Sequence, residues 1–510
     1  MPMARVSAGH FIPDTVGEGR KSCINLFSEE NPTDPERPMR HYLRPGSVSR
    51  DTGNILNNVP RGIAQSGDHA GGKILVNDGE TVRAVTTSGS WSTLTGSIAG
   101  SDRAQWAFSE VQGACLSDGR IFISDGSTIT EETDADYELL LSNHSVTGGF
   151  TSIASIGQRL LFTFGSRLGW SDTLDFNSTV TTYFLTTEDS PDLNVAVYAL
   201  NGIVYVFGTQ TVQPFSQTGG EGAAAFRPIN NSTIQRGCLA RDTIVQLDNT
   251  LFWVGENFEV YRMNGLTPQS VIGENTWVSR RLRLEAPADL VASKLEIDGQ
   301  SFYVLNGRLG CYVYSIKMQT WFLWKTYEQE TWEWSQIVAV GGDHFAISRL
   351  NADFGQLSRE YVTDGAAVTT TNETDTLVTT SGDTLITTSG DTLVTVATST
   401  TTYGQEIVWE VSAHLPVIGG RKPIPSIRVD GTKGRGNANL PNEDAYISMA
   451  LSKDNGNTLG NYRDRSIGKQ GEYKKRAIWR QNGRAREPQV IAFFRSNDPA
   501  MLTAIAVGED

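Results

Sequence analysis

The sequence predicts an all-β protein, with an N-terminal β-propeller, expected to have six blades, followed by a C-terminal β-sandwich. Three observations carry this expectation. Short runs rich in Val, Ile, Thr, Tyr and Phe alternate with Asp-Gly and Asn-Gly pairs, residues that accept the positive φ of tight hairpin turns. Eight such pairs, from Asp78-Gly79 to Asp364-Gly365, punctuate a region of roughly 320 residues, too long for one two-sheet sandwich. A Thr-rich repeat then separates this region from about a hundred residues of further dense β patterning, the size of one sandwich.

In chain order, residues 1–60 read as an N-terminal arm with a lead-in strand, 61–365 as the propeller, 366–402 as an insert or linker, and 403–510 as the sandwich. Apolar runs flank the turn on both sides in Lys73 to Val82 and in Ala199 to Phe207, so each pair is expected to close a hairpin. Blades of about 40–45 residues give six or seven; two stacked sandwiches are the competing architecture. Helical patterning is sparse, and its best short stretch lies around Asp289 to Lys294. The unit Asp-Thr-Leu-Val/Ile-Thr-Thr-Ser-Gly starts at Asp375 and Asp383, with a third, altered copy at Asp391, and no Lys or Arg occurs from Glu360 to Gly420. Thr and Val favour extended backbone and Ser-Gly-Asp a turn, so the repeat reads equally as a small stack of strands or a Thr-rich linker.

Composition narrows the function classes. The chain has 510 residues, 38% of them apolar, but no run approaches the roughly 18 apolar residues of a membrane-spanning helix. Met1 to Ser7 lack a secretory pattern, so synthesis and folding in a cytoplasm are expected. Cys23, Cys115, Cys238 and Cys311 are too far apart for a redox pair or a local zinc spacing, and read as buried thiols. A formal charge of −14 argues against charge-driven binding of nucleic acid over the whole surface.

Candidate chemistry is thin. His10, His41, His69, His144, His344 and His414 show no metal-ligand spacing, and no nucleophile elbow, phosphate loop or dinucleotide fingerprint is present. Gly431-Thr432-Lys433-Gly434-Arg435-Gly436 reads as a mobile basic loop. Ser452 to Leu459 resembles the Asp box of sialidase-type propellers, which implies a β-turn braced by Asp454 and Thr458. The stretch Tyr327 to Trp334 could offer a carboxylate pair and sugar-stacking rings, but on a strand Glu330 and Trp332 take one face and Thr331 and Glu333 the other, as in an ordinary blade edge. No catalytic, cofactor-binding or metal-ligating residue is therefore expected.

The strongest charge feature is the segment 463–486. Nine Lys or Arg stand against Asp464 and Glu472, a net +7 that leaves −21 on the rest of the chain. If Asn482-Gly483 closes a hairpin, Gln481 pairs with Arg484 and Trp479 with Arg486, placing Arg486 over the indole; Arg476, Ile478 and Arg480 take the other face. Arg463, Arg465, Lys474, Lys475, Arg476, Trp479, Arg480, Arg484 and Arg486 are the candidate docking residues, for an acidic subunit or DNA phosphate. Charged strands that deter edge-to-edge aggregation explain them equally well.

Tyr473 to Arg486 resembles the C-terminal signature of the tail hub, or packaged-DNA stabilisation, proteins of short-tailed bacteriophages: Lys/Arg-Arg, two apolar residues, Trp-Lys/Arg, two variable residues, then Gly-Arg-x-Arg. Further matches follow in order: Ile24-Asn25-Leu26-Phe27, Tyr42-Leu43-Arg44-Pro45-Gly46, Arg61-Gly62-Ile63, and Val206 to Gly219. The octad repeat is a departure, and its role is not inherited. The resemblance implies a non-enzymatic virion protein, assembled in the host cytoplasm as a homo-oligomeric ring, a hexamer, below the portal and its adaptor. It would extend the tail channel, hold a needle or plug, sit near the tailspikes, and let duplex DNA pass without tight binding. An acidic channel wall suits such passage, because a basic wall would bind phosphates through counterion release. The basic segment is then expected at a subunit or adaptor interface, facing acidic surface such as that around Glu360 to Glu410 of a neighbour, in the head-to-tail contact that closes a ring. A virion-associated glycan-binding or glycan-cleaving propeller is the alternative.

Overall fold

The computed structural model describes residues 5–6, 8–11, 21–32, 39–51, 53–187, 192–273, 275–365, 374–376, 394–396, 405–415, 422–434, 436, 443–485, 490–498 and 502–507. Seven of the eight Asp-Gly and Asn-Gly pairs lie between antiparallel strands of a single sheet. At Asp118-Gly119, Asn201-Gly202 and Asp298-Gly299 both residues have positive φ, the geometry that matches a tight turn to the twist of its flanking strands.

These hairpins build seven four-stranded blades among the described residues, one more than expected: 62–93, 105–131, 152–186, 194–228, 245–270, 291–324 and 334–358. The last has only three strands of its own. Its fourth is Gly46–Ser49, which pairs antiparallel with Phe354–Ser358 and so closes the circle with a strand from the start of the chain. Each pair of neighbouring blades shares an apolar cluster, such as Leu161 and Trp170 of the third with Val204 and Phe215 of the fourth. Facing the central axis, Gln and Ser side chains accept from the first-strand amides of the next blade: Gln105 Oε1 from Ile153 N (3.0 Å), Ser152 Oγ from Val197 N (3.2 Å), and Ser293 Oγ from Ile337 N (3.1 Å). Gln336 Oε1 accepts from Ile63 N (3.1 Å) across the closing junction. The stretch expected to be helical becomes the strand Val291–Ile297, with Pro287–Asp289 only a single 3-10 turn before it. Alternating buried and exposed side chains there favour the strand.

Two layers form the sandwich, each a path of five strands, and Arg5–Val6 pairs antiparallel with Trp409–His414 beside the first path. One runs Cys23–Ile24, Trp409–His414, Ile491–Ser496, Ala445–Ser452, Arg463–Gly468; the other runs Leu26–Glu30, Met39–Leu43, Leu502–Val507, Ile427–Gly431, Ala477–Trp479. Residues 1–60 are thus not a separate arm: their described strands complete the sandwich and the seventh blade. Ile24 also pairs in parallel with Leu323, so the first layer continues into the sixth blade. One core spans both domains, from Phe302, Trp324 and Trp334 to Trp409, Trp479 and Phe494.

Arg44 and Asn25 fasten this junction. The Arg44 guanidinium is wholly buried, forks onto the Asp364 carboxylate and donates to the carbonyls of Pro45 (2.8 Å) and Lys325 (3.0 Å). Its Nε donates to Asn25 Oδ1 (3.0 Å), and Asn25 Nδ2 reaches the Val408 carbonyl (2.7 Å). The Asp364-Gly365 pair therefore closes no hairpin; Asp364 serves as a buried counter-ion instead. Its strand, Thr363–Asp364, pairs with Gln405–Glu406, so the insert leaves and returns side by side. Within the insert Thr374–Thr376 pairs with Val394–Val396, and the rest of the octad repeat lies outside the described residues.

Candidate functional site

The basic segment occupies one margin of the sandwich, where both layers end. Arg463–Gly468 is the last strand of the first layer and Ala477–Trp479 the last of the second. Open strand margins leave backbone groups unpaired, and here arginine side chains take them up. Arg465 Nε donates to the Ile478 carbonyl (2.9 Å) and Arg463 Nη1 to that of Arg480 (3.2 Å). In return the Trp479 indole N–H donates to the Arg463 carbonyl (2.7 Å). Arg463, Arg465 and Trp479 are thus tied to the fold itself. Lys475 bridges Asp444 and Glu472, each at 3.0 Å.

The expected hairpin at Asn482-Gly483 does not form. Ala477–Trp479 pairs with Ile427–Gly431, whereas Arg484–Ala485 pairs with Lys422–Pro423 in a separate ladder. Asn482 is buried, and its amide donates to the Pro425 (2.7 Å) and Trp479 (3.2 Å) carbonyls, a local tie that displaces the turn. The Trp479 ring packs edge-on against Phe494 (5.7 Å) inside the core. Arg486 lies outside the described residues.

Lys474, Arg476, Arg480 and Arg484 remain exposed, together with Lys469. Two further cations belong to the same margin. Arg428 sits opposite Ile478 in the ladder, and burial, reinforced by the charges of Arg428 and Arg476 against the pull of Asp430, pushes the Lys433 ammonium below its usual range. The basic loop had signalled Lys433, but Arg428 is isolated in sequence and only strand pairing reveals it. Among its described residues the margin thus concentrates exposed positive charge.

The other candidates resolve into structural roles. Tyr327 to Glu333 is the connection between the sixth and seventh blades, not a strand, and Trp332 and Trp334 are fully buried, so neither ring is a stacking platform. Glu333 is buried beside them; desolvation, with Asp364 nearby, lifts its carboxyl to about 7. Asp454 braces its turn as expected, accepting from Thr458 N (2.9 Å) and Oγ1 (2.6 Å). All four cysteines are buried free thiols, and burial pushes Cys238 up to about 12. Among the described residues no group of His, Cys, Asp and Glu could hold a metal ion, and no helix is long and apolar enough to cross a membrane.

Comparison with known families matches the fold in two pieces. The family described as bacteriophage P22 Gp10, beta-propeller, matches residues 40–362, and that described as bacteriophage P22 Gp10, beta-sandwich, matches residues 411–504. The chain belongs to the Gp10 family. It is a structural protein of the phage tail, of the tail hub and DNA-stabilisation class found in podophages. No curated protein matches the chain in sequence. Among solved structures, the extracellular domain of the one-component system BT4673 from B. thetaiotaomicron aligns at 10% identity and a TM-score of 0.43, covering 90% of this chain and 60% of that one. PorZ of the type-IX secretion system of Porphyromonas gingivalis aligns at 9% and 0.37, covering 76% and 44%. The chain thus spans less than two thirds of either, and at these scores neither carries weight for function.

Three of the stretches that the sequence reading singled out contain positions where the fold leaves little room for change. Asn25 and Arg44 make the interdomain junction. A Cβ on Gly46 would meet the Tyr361 and Thr363 carbonyls, and one on Gly208 would meet the Asp192 carboxylate that caps the amides of Gln210 and Thr211.

Proposed function

We propose that the protein is the tail hub, or nozzle, of its virion: a homo-oligomeric ring, a hexamer, below the portal and adaptor. The ring extends the DNA channel, holds the tail needle or plug, sits near the tailspikes and retains packaged DNA until ejection. The observation that carries this reading is the match of both Gp10 domains, in order, on a chain whose charge divides into a basic sandwich margin and an acidic remainder. The exposed residues of that margin, Lys474, Arg476, Arg480 and Arg484, contact the neighbouring subunit or adaptor, with Arg486 continuing the run in sequence. Arg463, Arg465, Lys475 and Trp479 hold the margin in shape.

The acidic remainder suits a wall along which duplex DNA slides without counterion-release binding. The axis of each propeller is not that path, because Arg103 and Arg241 cross it. Arg103 Nη1 donates to Asp242 Oδ2 (2.9 Å) and Nη2 to the Ala288 carbonyl (2.8 Å), while Arg241 reaches the carbonyls of Arg103 (2.9 Å) and Thr151 (3.2 Å). DNA then runs along the axis of the ring.

Electron microscopy of the purified protein, alone and mixed with portal and adaptor, tests the reading. Rings with a central channel of duplex width are expected. Monomers that hydrolyse polysaccharide would overturn it.

A further inference from the structure

The exposed cations of the sandwich margin, Lys474, Arg476, Arg480 and Arg484, find little free acidic surface in the stretch where the sequence placed it. Of the described carboxylates between Glu360 and Glu410, only Glu360 has no partner: Asp364 is buried against Arg44, Glu406 accepts from Asn497 Nδ2 (2.6 Å), and Glu410 accepts from Ser22 and Tyr462. The densest acidic run of the chain lies elsewhere. Glu131, Glu132, Asp134, Asp136 and Glu138 fall within eight residues, and no Lys or Arg occurs between Arg120 and Arg159.

This run leads into the helix Ala135–Asn143, in the connection between the second and third blades. Asp134 caps the helix, accepting from Asp136 N (3.0 Å), and also accepts from Thr179 N (3.0 Å). The Tyr137 hydroxyl donates to the Phe176 carbonyl (2.7 Å), which pins the helix to Asp175–Thr186, the outermost strand of the third blade. Tyr137 and Leu140 are buried, whereas Ala135, Glu138, Leu139 and Ser142, spaced i, i+3, i+4, i+7, make an exposed stripe. The carboxylates of Glu132, Asp136 and Glu138 have no hydrogen-bond or ion-pair partner among the described residues. Glu131 meets Arg120 at 3.5 Å, with both side chains about half exposed, and at the far end of the helix Arg167 stands over the Phe184 ring beside His144. Glu132 is half-buried; desolvation, with the charges of Glu131, Glu138 and Asp134, lifts its carboxyl to about 7. A cationic surface brought against this helix face would relieve that repulsion.

Blade order separates the two charged patches. The sandwich shares its core with the sixth and seventh blades, and in a closed circle of seven the third blade stands opposite their joint. The sandwich with its basic margin and the acidic helix face thus lie on opposite sides of the propeller. We propose that the acidic helix face of one copy, residues 131–139, receives the basic margin of a second copy, its carboxylates pairing with Lys474, Arg476, Arg480 and Arg484. This contact rests on the ring reading above and supplies the acidic surface which that reading requires. Because the two patches differ, the contact is heterologous and each copy engages two neighbours, the arrangement that closes a ring instead of a twofold dimer.

Paired charge reversal tests it. One full-chain variant carries Arg476→Glu, Arg480→Glu and Arg484→Glu; a second carries Glu131→Lys and Glu138→Lys, both at exposed positions. Rings are counted by electron microscopy with portal and adaptor present. Each variant alone presents like charges on both patches and is expected to lose rings to background, whereas an equimolar mixture restores them by alternating the two around an even-numbered ring. Glu131→Gln with Glu138→Gln, the milder change should Lys disturb the helix, is expected to weaken assembly about tenfold. Rings at the wild-type level from either reversed variant alone, a mixture as inactive as its parts, or unchanged assembly of the Gln variant would overturn the contact and leave the ring reading standing. Wild-type protein that forms no rings would overturn that reading and the contact with it.

Discussion

The interdomain junction and the sandwich margin both depend on arginine, and they use it in opposite ways. At the junction Arg44 is fully desolvated, forked onto Asp364 and surrounded by acceptors from Asn25, Pro45 and Lys325. At the margin Arg476, Arg480 and Arg484 are exposed to water. The first arrangement holds two domains as one body; the second leaves charge available to another molecule. The difference follows from how each charge is compensated. A buried cation is tolerated only with its counter-ion and acceptors in place, whereas an exposed one costs the fold almost nothing.

The sharpest way to break the comparison is at Arg44. Arg44→Leu strands the Asp364 carboxylate in the junction and is expected to lower unfolding free energy by about 3–5 kcal/mol. The double variant Arg44→Leu, Asp364→Leu should recover more than half of that, because both desolvation costs vanish together. Urea unfolding followed by tryptophan fluorescence reads both, and a double variant no better than the single one would show that packing, not charge pairing, fixes the joint.

The junction also carries opposed pH dependences. His41, one strand before Arg44, is buried; desolvation lowers its ring to about 4, so it folds neutral. Between its unfolded value near 6.5 and about 4, the unfolded chain binds the extra proton, and stability falls as pH falls. Glu333 has the opposite sign. Its carboxyl is raised to about 7, so stability falls as pH rises from 4.5 through about 7. Each slope is worth about 3 kcal/mol at its limit. His41→Gln should remove the loss on the acid side and Glu333→Gln the loss on the other, as read by unfolding midpoints from pH 4 to 8. Parallel curves for wild type and both variants would refute the assignment.

Part of this architecture was legible in the sequence, and the parts that were not share a cause. Asp118-Gly119 and Asn201-Gly202 announce hairpins because the left-handed backbone they accept is a local property. The seventh blade was missed because its closing strand, Gly46–Ser49, comes from before the first. In the same way Cys23–Ile24 and Met39–Leu43 look like an arm until the sandwich strands they pair with, more than 360 residues away, are in place. The basic segment was visible from composition alone. Which of its residues are tied to the fold was not, since the partners of Arg465 and Trp479 lie on the opposite layer. Asn482 shows the same limit: its sequence signals a turn, yet it is buried between the Pro425 and Trp479 carbonyls. Asn482→Ala should therefore cost about 1–3 kcal/mol and loosen the margin, which proteolysis near Arg484 would detect. A neutral result would restore the simple turn.

The smallest expected effect on the chain itself is the most informative about its partner. Changing Arg476, Arg480 and Arg484 together to Glu alters three exposed side chains and should leave unfolding free energy within about 0.5 kcal/mol per site. The same change shifts the margin by six charge units. If an acidic surface of the neighbouring subunit or adaptor docks there, attraction becomes repulsion, and ring formation measured by electron microscopy should drop to background while the monomer stays folded. A stability loss with assembly intact would reverse the contrast between junction and margin. Normal rings, and particles that keep their DNA, would remove the margin from the interface and return it to the role of charged strands that keep a sheet from aggregating. The outcome separates these because the two readings place the energy differently: one in attraction between molecules, the other in the avoidance of edge pairing.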